Sequence, residues 1–184
     1  MNEYIELKNK DINYIIDGFD DERKNIILNS FKLAQKAHAD QKRMSGEPYI
    51  LHCVEVAKIL KDMKMDAQTI SAGLLHDVLE DTQFRIEDIK NTAGENVAFL
   101  VEGVTNVTAK VFKKSGKVFG DSLKKMFLAM ANDIRVVIIK FADRLHNMRT
   151  IKYLPIEKQK IIAQETLDIY APLAHRLGME RIKS

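Results

Sequence analysis

The sequence predicts an all-α fold, and three observations support that prediction. Along the 184 residues, apolar side chains recur at spacings of three and four far more often than they alternate. Only 3 prolines and 8 glycines are present, so few positions interrupt a helix. The composition, with 46% hydrophobic and 30% charged residues, is typical of a globular domain with one sizeable core. We therefore expect a single helical domain over residues 1–184.

The first two helices are predicted from apolar stripes. Residues 22–39 carry a stripe with steps of four, three and four residues, formed by Ile27, Phe31, Ala34 and His38. Turn residues follow at 44–48, and Pro48 suits the first position of the second helix because its missing N–H needs no partner there. The second helix is expected to end near residue 63, with one face formed by His52, Val56, Ile59 and Met63.

The remaining helices are predicted from caps, turn residues and further stripes. Asp66 suits the N-cap of a third helix, which is expected to continue to Leu79 before a polar break. The run Val136–Ile139 has strand propensity, but the apolar spacing continues beyond it as a helical stripe, so we assign it to a helix. The other predicted helices are 85–92, 94–105, a segment that starts at Asp121, 133–150, and the stretch between Pro155 and Pro172.

Residues 106–120 are predicted to form a flexible basic loop. The segment contains Lys110, Lys113, Lys114 and Lys117 together with Gly116 and Gly120. Such a loop is most simply a solvated connection, although a basic surface of this kind also suits a phosphorylated small molecule.

Composition excludes several classes of protein. The longest apolar run, 126–131, has 6 residues, far short of the ~20 that span a bilayer. The N-terminus lacks the basic start and apolar stretch of a secretory signal, so we expect a cytoplasmic protein. The single cysteine, Cys53, excludes an internal disulfide and a Cys-rich zinc site, and we interpret it as a small buried hydrophobe. The net charge of +3, from 29 basic and 26 acidic residues, gives no indication of DNA binding.

One polar cluster follows directly after the apolar run Ala72–Leu75. On a continuous helix, a spacing of four would stack His76 with Glu80 and Asp77 with Asp81. Clustered carboxylates next to a core repel one another unless a cation holds them. The cluster therefore predicts a divalent metal site.

A His–Asp pair on one helix cannot fill a coordination sphere, so further ligands must come from elsewhere in the fold. His52, on the inner face of its helix, and Asp143, within a strongly apolar helix, are the natural candidates. Taken alone, His52 is an ordinary core histidine and Asp143 an ordinary ion-pair partner of a nearby arginine. Two imidazoles and two carboxylates without a thiolate suit Mn²⁺ or Fe²⁺ better than a structural zinc ion.

Four segments carry motifs that resemble a known family. They read RMSGEPYI at 43–50, GLLHDVLEDT at 73–82, FADRLHNMRT at 141–150 and YAPLAHRLG at 170–178. In this order they are similar to the hydrolase domain of the RelA/SpoT homologue family of HD-domain metal phosphohydrolases. The resemblance implies an HD-type helical fold. It also implies hydrolysis of guanosine tetra- and pentaphosphate to GDP or GTP and pyrophosphate.

The resemblance also implies roles for individual residues. It makes four side chains the ligands of Mn²⁺, namely His52, His76, Asp77 and Asp143. It makes Glu80 and Asp81 the pair that positions and activates the attacking water, which agrees with the need for a carboxylate one turn from the ligands. The residues that would face the nucleotide are Arg43, stacked on guanine, with Ser45, Asn147 and Thr150. Met44 stands where the family often has a basic residue, and His38 and His175 are interpreted as core or supporting histidines.

Two alternatives remain open at this point. One is an HD phosphohydrolase of another nucleotide, against which the segment 43–49 argues. The other is a nucleotide-sensing module that binds without turnover, against which the intact pair Glu80 and Asp81 argues. In long members of the family, residues like 171–184 lead into an alarmone synthetase domain, so we expect such a domain in the full-length chain.

Overall fold

The computed structural model describes residues 10–108, 126 and 128–179 of the chain. Within these ranges the secondary structure is helical, and the only β-type pairing is an isolated antiparallel bridge between Lys42 and Pro48. The predicted all-α fold is confirmed. No helix in the described ranges is long and apolar enough to span a bilayer.

The helices are numbered here in chain order. They are α1 (10–16), α2 (Asp21–Ala37), α3 (Ile50–Asp62), α4 (Ala67–Leu75), α5 (Val78–Asp81), α6 (Ile86–Ala93), α7 (Glu95–Thr108), α8 (128–132), α9 (Ile134–Arg149), a 3₁₀ turn (Ile151–Tyr153), α10 (Ile156–Glu165), a π-helical turn (Thr166–Tyr170) and α11 (Ala171–Arg176).

Helix α4 lies at the centre of the fold, where it packs against α2, α3, α7 and α9. Eight of its nine residues are buried. Its start is fixed as predicted, because Asp66 Oδ1 accepts a hydrogen bond from the main-chain N–H of Thr69 at 2.8 Å. Gly73 lets α3 approach closely, since a Cβ at that position would overlap the side chain of Leu60. This close packing brings the end of α4 beside the inner face of α3.

The prediction that the third helix continues to Leu79 was wrong. Helix α4 ends at Leu75, and His76 and Asp77 form a turn before the single-turn helix α5. Asp77 has φ −100° and ψ −2°, and its carbonyl oxygen accepts the N–H groups of Glu80 and Asp81 at 3.2 and 2.9 Å. The inference that one continuous helix carries both His76 and Glu80 was therefore wrong. The turn directs the His–Asp pair toward α3 and α9.

Two other predicted boundaries also differ. Helix α3 begins at Ile50, and Pro48 belongs to the isolated bridge rather than to the first helical position. Helix α7 continues to Thr108, so the predicted loop does not begin at residue 106. Residues 109–120, and the helix start expected at Asp121, lie outside the described residues.

The final helix does not end at Pro172 as predicted. The chain is helical from Ile156 through the π-helical turn and on to Arg176. Pro172 lacks an N–H, and in a regular helix its ring would clash with the carbonyl group four residues earlier. The wider π-helical turn directly before Pro172 relieves this conflict.

Candidate metal centre

Four side chains from three elements converge on one point in the interior. His52 projects from α3, His76 and Asp77 from the turn after α4, and Asp143 from α9. His52 Nε2 lies 3.3 Å from His76 Nε2, 3.3 Å from Asp143 Oδ1 and 3.6 Å from Asp77 Oδ2. His76 Nε2 lies 2.9 Å from Asp77 Oδ2 and 3.7 Å from Asp143 Oδ1. The structure thus brings together all four residues that the sequence singled out as ligands.

The spacing and chemistry of these donors fit a divalent ion. Neighbouring ligands of an octahedral ion held at about 2.1 Å lie roughly 3 Å apart. The separations from the two imidazole nitrogens to the other donors run from 2.9 to 3.7 Å. His52, His76 and Asp143 also form a group whose ligand atoms all lie within 4.8 Å of one another. Two imidazole nitrogens and two carboxylate oxygens are a donor set that suits Mn²⁺ or Fe²⁺.

The orientation of His76 is fixed by the main chain. Its Nδ1 lies 2.9 Å from the carbonyl oxygen of Gly73, which can only accept a hydrogen bond. Nδ1 must therefore carry a proton, and Nε2 is the nitrogen that faces the other donors. A metal-ligating histidine is commonly oriented in this way.

His52 is oriented by a second buried histidine, His146 of α9. Its Nδ1 lies 2.7 Å from His146 Nδ1, and Arg43 Nη1 lies 3.0 Å from the same nitrogen. Arg43 Nη1 also lies 3.1 Å from His52 Nδ1, so its guanidinium, which can only donate, contacts the Nδ1 atoms of both histidines. Burial, and then the charges of His52 and Arg43, lower the pKa of His146 to about 3, which keeps it neutral. His52 Nε2 faces the cluster, and as a metal ligand through that nitrogen His52 would carry its proton on Nδ1.

Both carboxylates are held by further side chains. Tyr49 donates its hydroxyl to Asp77 Oδ2 at 2.7 Å, and burial together with the charge of Asp77 raises the pKa of Tyr49. Buried Lys140 lies 3.3 Å from Asp143 Oδ2, and Asn147 Nδ2 donates to Asp143 Oδ1 at 2.6 Å. Burial opposes ionisation of Asp143, but the charge of Lys140 and the hydrogen bonds with His52 and His76 together outweigh it and hold the pKa of Asp143 well below its usual range.

Binding of a divalent metal ion at this centre is expected to release a proton and to strengthen as pH rises. Burial alone would lower the pKa of His76, but the charge of Asp77 and the hydrogen bonds with both carboxylates raise it to about 10. Below that pH the imidazole carries a proton that an incoming ion must displace, so affinity should rise about tenfold per pH unit. Calorimetry in buffers of different protonation enthalpy measures the released proton. An affinity that does not change between about pH 7 and pH 9 would contradict this expectation.

Glu80 and Asp81 lie beside the cluster, on α5, and both are exposed. Although Asp81 is exposed as a residue, partial burial of its carboxyl group, and then the charge of Asp77, raise the pKa of Asp81 above its ordinary value. A carboxylate with a raised pKa, one turn from a metal ligand, is suited to accept a proton from a water molecule.

Of the four residues expected to face a nucleotide, two lie at the cluster and two do not. Arg43 lies against the cluster, where Nη2 donates to Asn147 Oδ1 at 2.6 Å. Ser45 donates to Glu47 at 3.0 Å on the surface, and Thr150 donates to the carbonyl oxygen of His146 at 3.0 Å. The structure therefore brings Arg43 and Asn147 to the centre. Ser45 contacts its own loop and Thr150 the end of its own helix.

The remaining residues that the sequence singled out differ in how far they are buried. Met44 is exposed, and Cys53 is fully buried, as expected for a small hydrophobe. His38 is buried, which agrees with its interpretation as a core or supporting histidine. His175 is exposed on α11, so that interpretation was wrong for His175.

Sequence reasoning missed three residues that contact the cluster. Tyr49 is part of the motif at 43–50, and Lys140 lies one turn before Asp143 within an otherwise apolar run. His146 lies within the motif at 141–150, three residues after Asp143. A lysine in an apolar stripe is the signal that could have identified Lys140, because lysine is almost never fully buried unless it is paired.

This chain matches a known protein family and several curated proteins. A family profile described as "HD domain" matches residues 30–180. A probable guanosine-3′,5′-bis(diphosphate) 3′-pyrophosphohydrolase of Synechocystis is 52% identical over 158 residues, which are 86% of this chain and 21% of that protein. The bifunctional (p)ppGpp synthase/hydrolase SpoT of Escherichia coli is 49% identical over 155 residues, 84% of this chain and 22% of that protein.

Other relatives carry a different name. A protein of Streptomyces coelicolor named GTP pyrophosphokinase is 50% identical over 157 residues, 85% of this chain and 18% of that protein. A solved structure described as a metazoan orthologue of SpoT that hydrolyses ppGpp has a TM-score of 0.62 and 27% identity, and the match covers 78% of this chain and 84% of that one. The chain thus resembles the hydrolase region of RelA/SpoT proteins, and it spans about a fifth of the length of these curated relatives.

Proposed function

Because this chain belongs to the HD domain family, we propose that it is a Mn²⁺-dependent hydrolase of guanosine 3′,5′-bis(diphosphate). The products would be GDP and pyrophosphate, and the pentaphosphate would give GTP. The observation that carries the proposal is the convergence of His52, His76, Asp77 and Asp143, with Asp81 one turn away. The names of relatives about half identical to this chain support the same substrate.

The proposed roles divide between the metal ligands and the α5 carboxylates. The bound ion would supply positive charge that lowers the pKa of a water molecule and polarises a phosphate. Asp81 accepts the proton of the attacking water, and Glu80 helps to hold that water in position. The water oxygen bonds to the phosphorus attached to the ribose 3′-oxygen, and the 3′-oxygen leaves and takes up a proton.

Arg43 is suited to hold the guanine base. Hydrogen bonds from its two terminal nitrogens to His146 and Asn147 lie at the edge of the guanidinium and fix its plane. Arg43 is only half-buried, and a planar guanidinium can stack on an aromatic base. We propose that guanine stacks on this guanidinium. Asn147, Ser45 and Thr150 are proposed to line the remainder of the nucleotide site.

The curated relatives are about five times longer than this chain, and some are named as synthases. We propose that the full-length protein carries an alarmone synthetase region after residues 171–184 and works in the cytoplasm without DNA or membrane partners.

A substrate comparison tests the proposal. The 184-residue protein is incubated with guanosine tetraphosphate, dGTP or ATP, each with Mn²⁺ and with excess chelator, and products are separated by anion exchange. We expect GDP and pyrophosphate to form from the tetraphosphate but no hydrolysis of dGTP or ATP. This reaction should occur with Mn²⁺ and stop with the chelator. Comparable hydrolysis of dGTP would indicate a phosphohydrolase of another nucleotide. Tight binding of the tetraphosphate without turnover would indicate a sensing module, and either outcome contradicts the proposal.

A further inference from the structure

The position of Asp81 depends on contacts from outside its own helix. Helix α5 has four residues, and its main-chain bonds from Glu80 and Asp81 both go back to the carbonyl oxygen of Asp77. The carbonyl groups at its end have no partner within so short a helix. Thr82 donates its hydroxyl to the Val78 carbonyl at 2.7 Å, and Gln41 Nε2 donates to the Asp81 carbonyl at 2.7 Å.

The amide of Gln41 is itself held in one orientation. Since the Asp81 carbonyl can only accept, the Gln41 nitrogen must face it, and the Gln41 oxygen faces His38 Nδ1 at 2.7 Å. His38 is buried, and its ring stacks on Tyr49 with centroids 4.8 Å apart. Its other nitrogen, Nε2, is buried without a protein hydrogen-bond partner among the described residues. Gln41 is therefore the polar group that fixes the tautomer of His38, with the proton on Nδ1.

The same loop holds the other end of α5. The main-chain N–H of Tyr49 donates to the carbonyl oxygen of Gln41 at 2.9 Å, so the two residues are tied across the loop. The Tyr49 hydroxyl contacts Asp77 at the start of α5, while the Gln41 amide contacts Asp81 at its end. The segment 38–49 thus contacts both ends of α5, at Asp77, a candidate metal ligand, and at Asp81, the proposed proton acceptor.

We propose that Gln41, oriented by His38, is a positioning residue that sets the distance between Asp81 and the metal centre. This inference rests on the proposed function, in which Asp81 accepts the proton of the attacking water. Gln41 acts through the main chain of Asp81 and contacts neither a metal ligand side chain nor the carboxylate itself. Its loss should therefore lower turnover and leave substrate and metal affinity unchanged.

Gln41→Met removes both polar atoms at nearly constant size. We expect kcat for guanosine tetraphosphate to fall about 10- to 100-fold, the scale for a displaced catalytic group, with KM and the Mn²⁺ requirement unchanged. Gln35→Met is the matched control, because Gln35 is an exposed residue of α2. Gln41→Glu keeps the acceptor for His38 but removes the donor to the Asp81 carbonyl, so it should lose turnover as well. Wild-type turnover in either Gln41 variant overturns the proposal.

A double-mutant cycle and a spectroscopic measurement separate positioning from general stability. On an Asp81→Asn background, Gln41→Met should cause little further loss of kcat, because both changes act on the same group. Fully additive losses would overturn the proposal. The ¹³C shift of the Asp81 carbonyl should move in Gln41→Met and stay in place in Gln35→Met, whether or not substrate is turned over. If the wild-type protein does not hydrolyse the tetraphosphate, the proposed function fails instead, and this shift still reports the contact.

Discussion

Asp81→Asn is expected to lower turnover of guanosine tetraphosphate by about 10²-fold or more while Mn²⁺ and nucleotide still bind. Asp81 lies outside the four-residue cluster, and its pKa is raised by burial and by the charge of Asp77, so its carboxylate is suited to accept a proton. An asparagine of the same shape cannot. Steady-state kinetics give kcat and KM, and titration with Mn²⁺ gives the metal requirement.

Asp21→Asn is the matched control for this prediction. Asp21 is an exposed carboxylate in the first turn of α2, and the same change there should leave kcat within twofold of wild type. Two results would contradict the role given to Asp81. One is turnover at the wild-type rate, and the other is loss of the metal.

Asp77→Asn is expected to abolish turnover at low Mn²⁺ concentration because it removes one of the four donors. Asp77 Oδ2 lies 2.9 Å from His76 Nε2, and the charge of His76 holds the pKa of Asp77 below its ordinary value despite burial. A neutral amide neither balances that charge nor binds a divalent ion as strongly. Mn²⁺ affinity should fall by more than the 10- to 100-fold typical of residues that only support a ligand.

Excess Mn²⁺ should partly restore the Asp77→Asn variant, which distinguishes it from Asp81→Asn. Mass action fills a weakened site at high ion concentration but cannot replace a missing proton acceptor. Activity measured against Mn²⁺ concentration should therefore shift to higher concentrations for Asp77→Asn and show a lower plateau for Asp81→Asn. If both variants respond to Mn²⁺ in the same way, the two roles are not separate.

The local sequence was sufficient to predict most helices of the fold. The stripe ending at His38, the cap at Asp66 and the helical period across Val136–Ile139 each depend on neighbours within a few residues. The break at His76 and Asp77 could not be predicted in this way, because the apolar spacing continues through it. It depends on the hydrogen bond from His76 to Gly73 and on contacts made with α3 and α9.

The four candidate ligands were predicted because histidine and aspartate are unusual within apolar helices. The residues that hold them were not, since their contacts join positions far apart in sequence. Tyr49 reaches Asp77 from 28 residues away, and His146 reaches His52 from 94 residues away. Gln41 donates to the main-chain carbonyl of Asp81, 40 residues away. Because any residue at position 81 would offer that carbonyl, the side-chain type of Asp81 gives no indication of the contact.

Anomalous diffraction from crystals grown with Mn²⁺ tests the central claim most directly. The account predicts one strong manganese peak bounded by His52 Nε2, His76 Nε2, Asp77 and Asp143, at about 2.0 to 2.3 Å from each donor. The peak should be absent or much weaker in Asp77→Asn and present in Asp81→Asn. A peak coordinated elsewhere, or an ion that contacts none of these four side chains, would contradict the account.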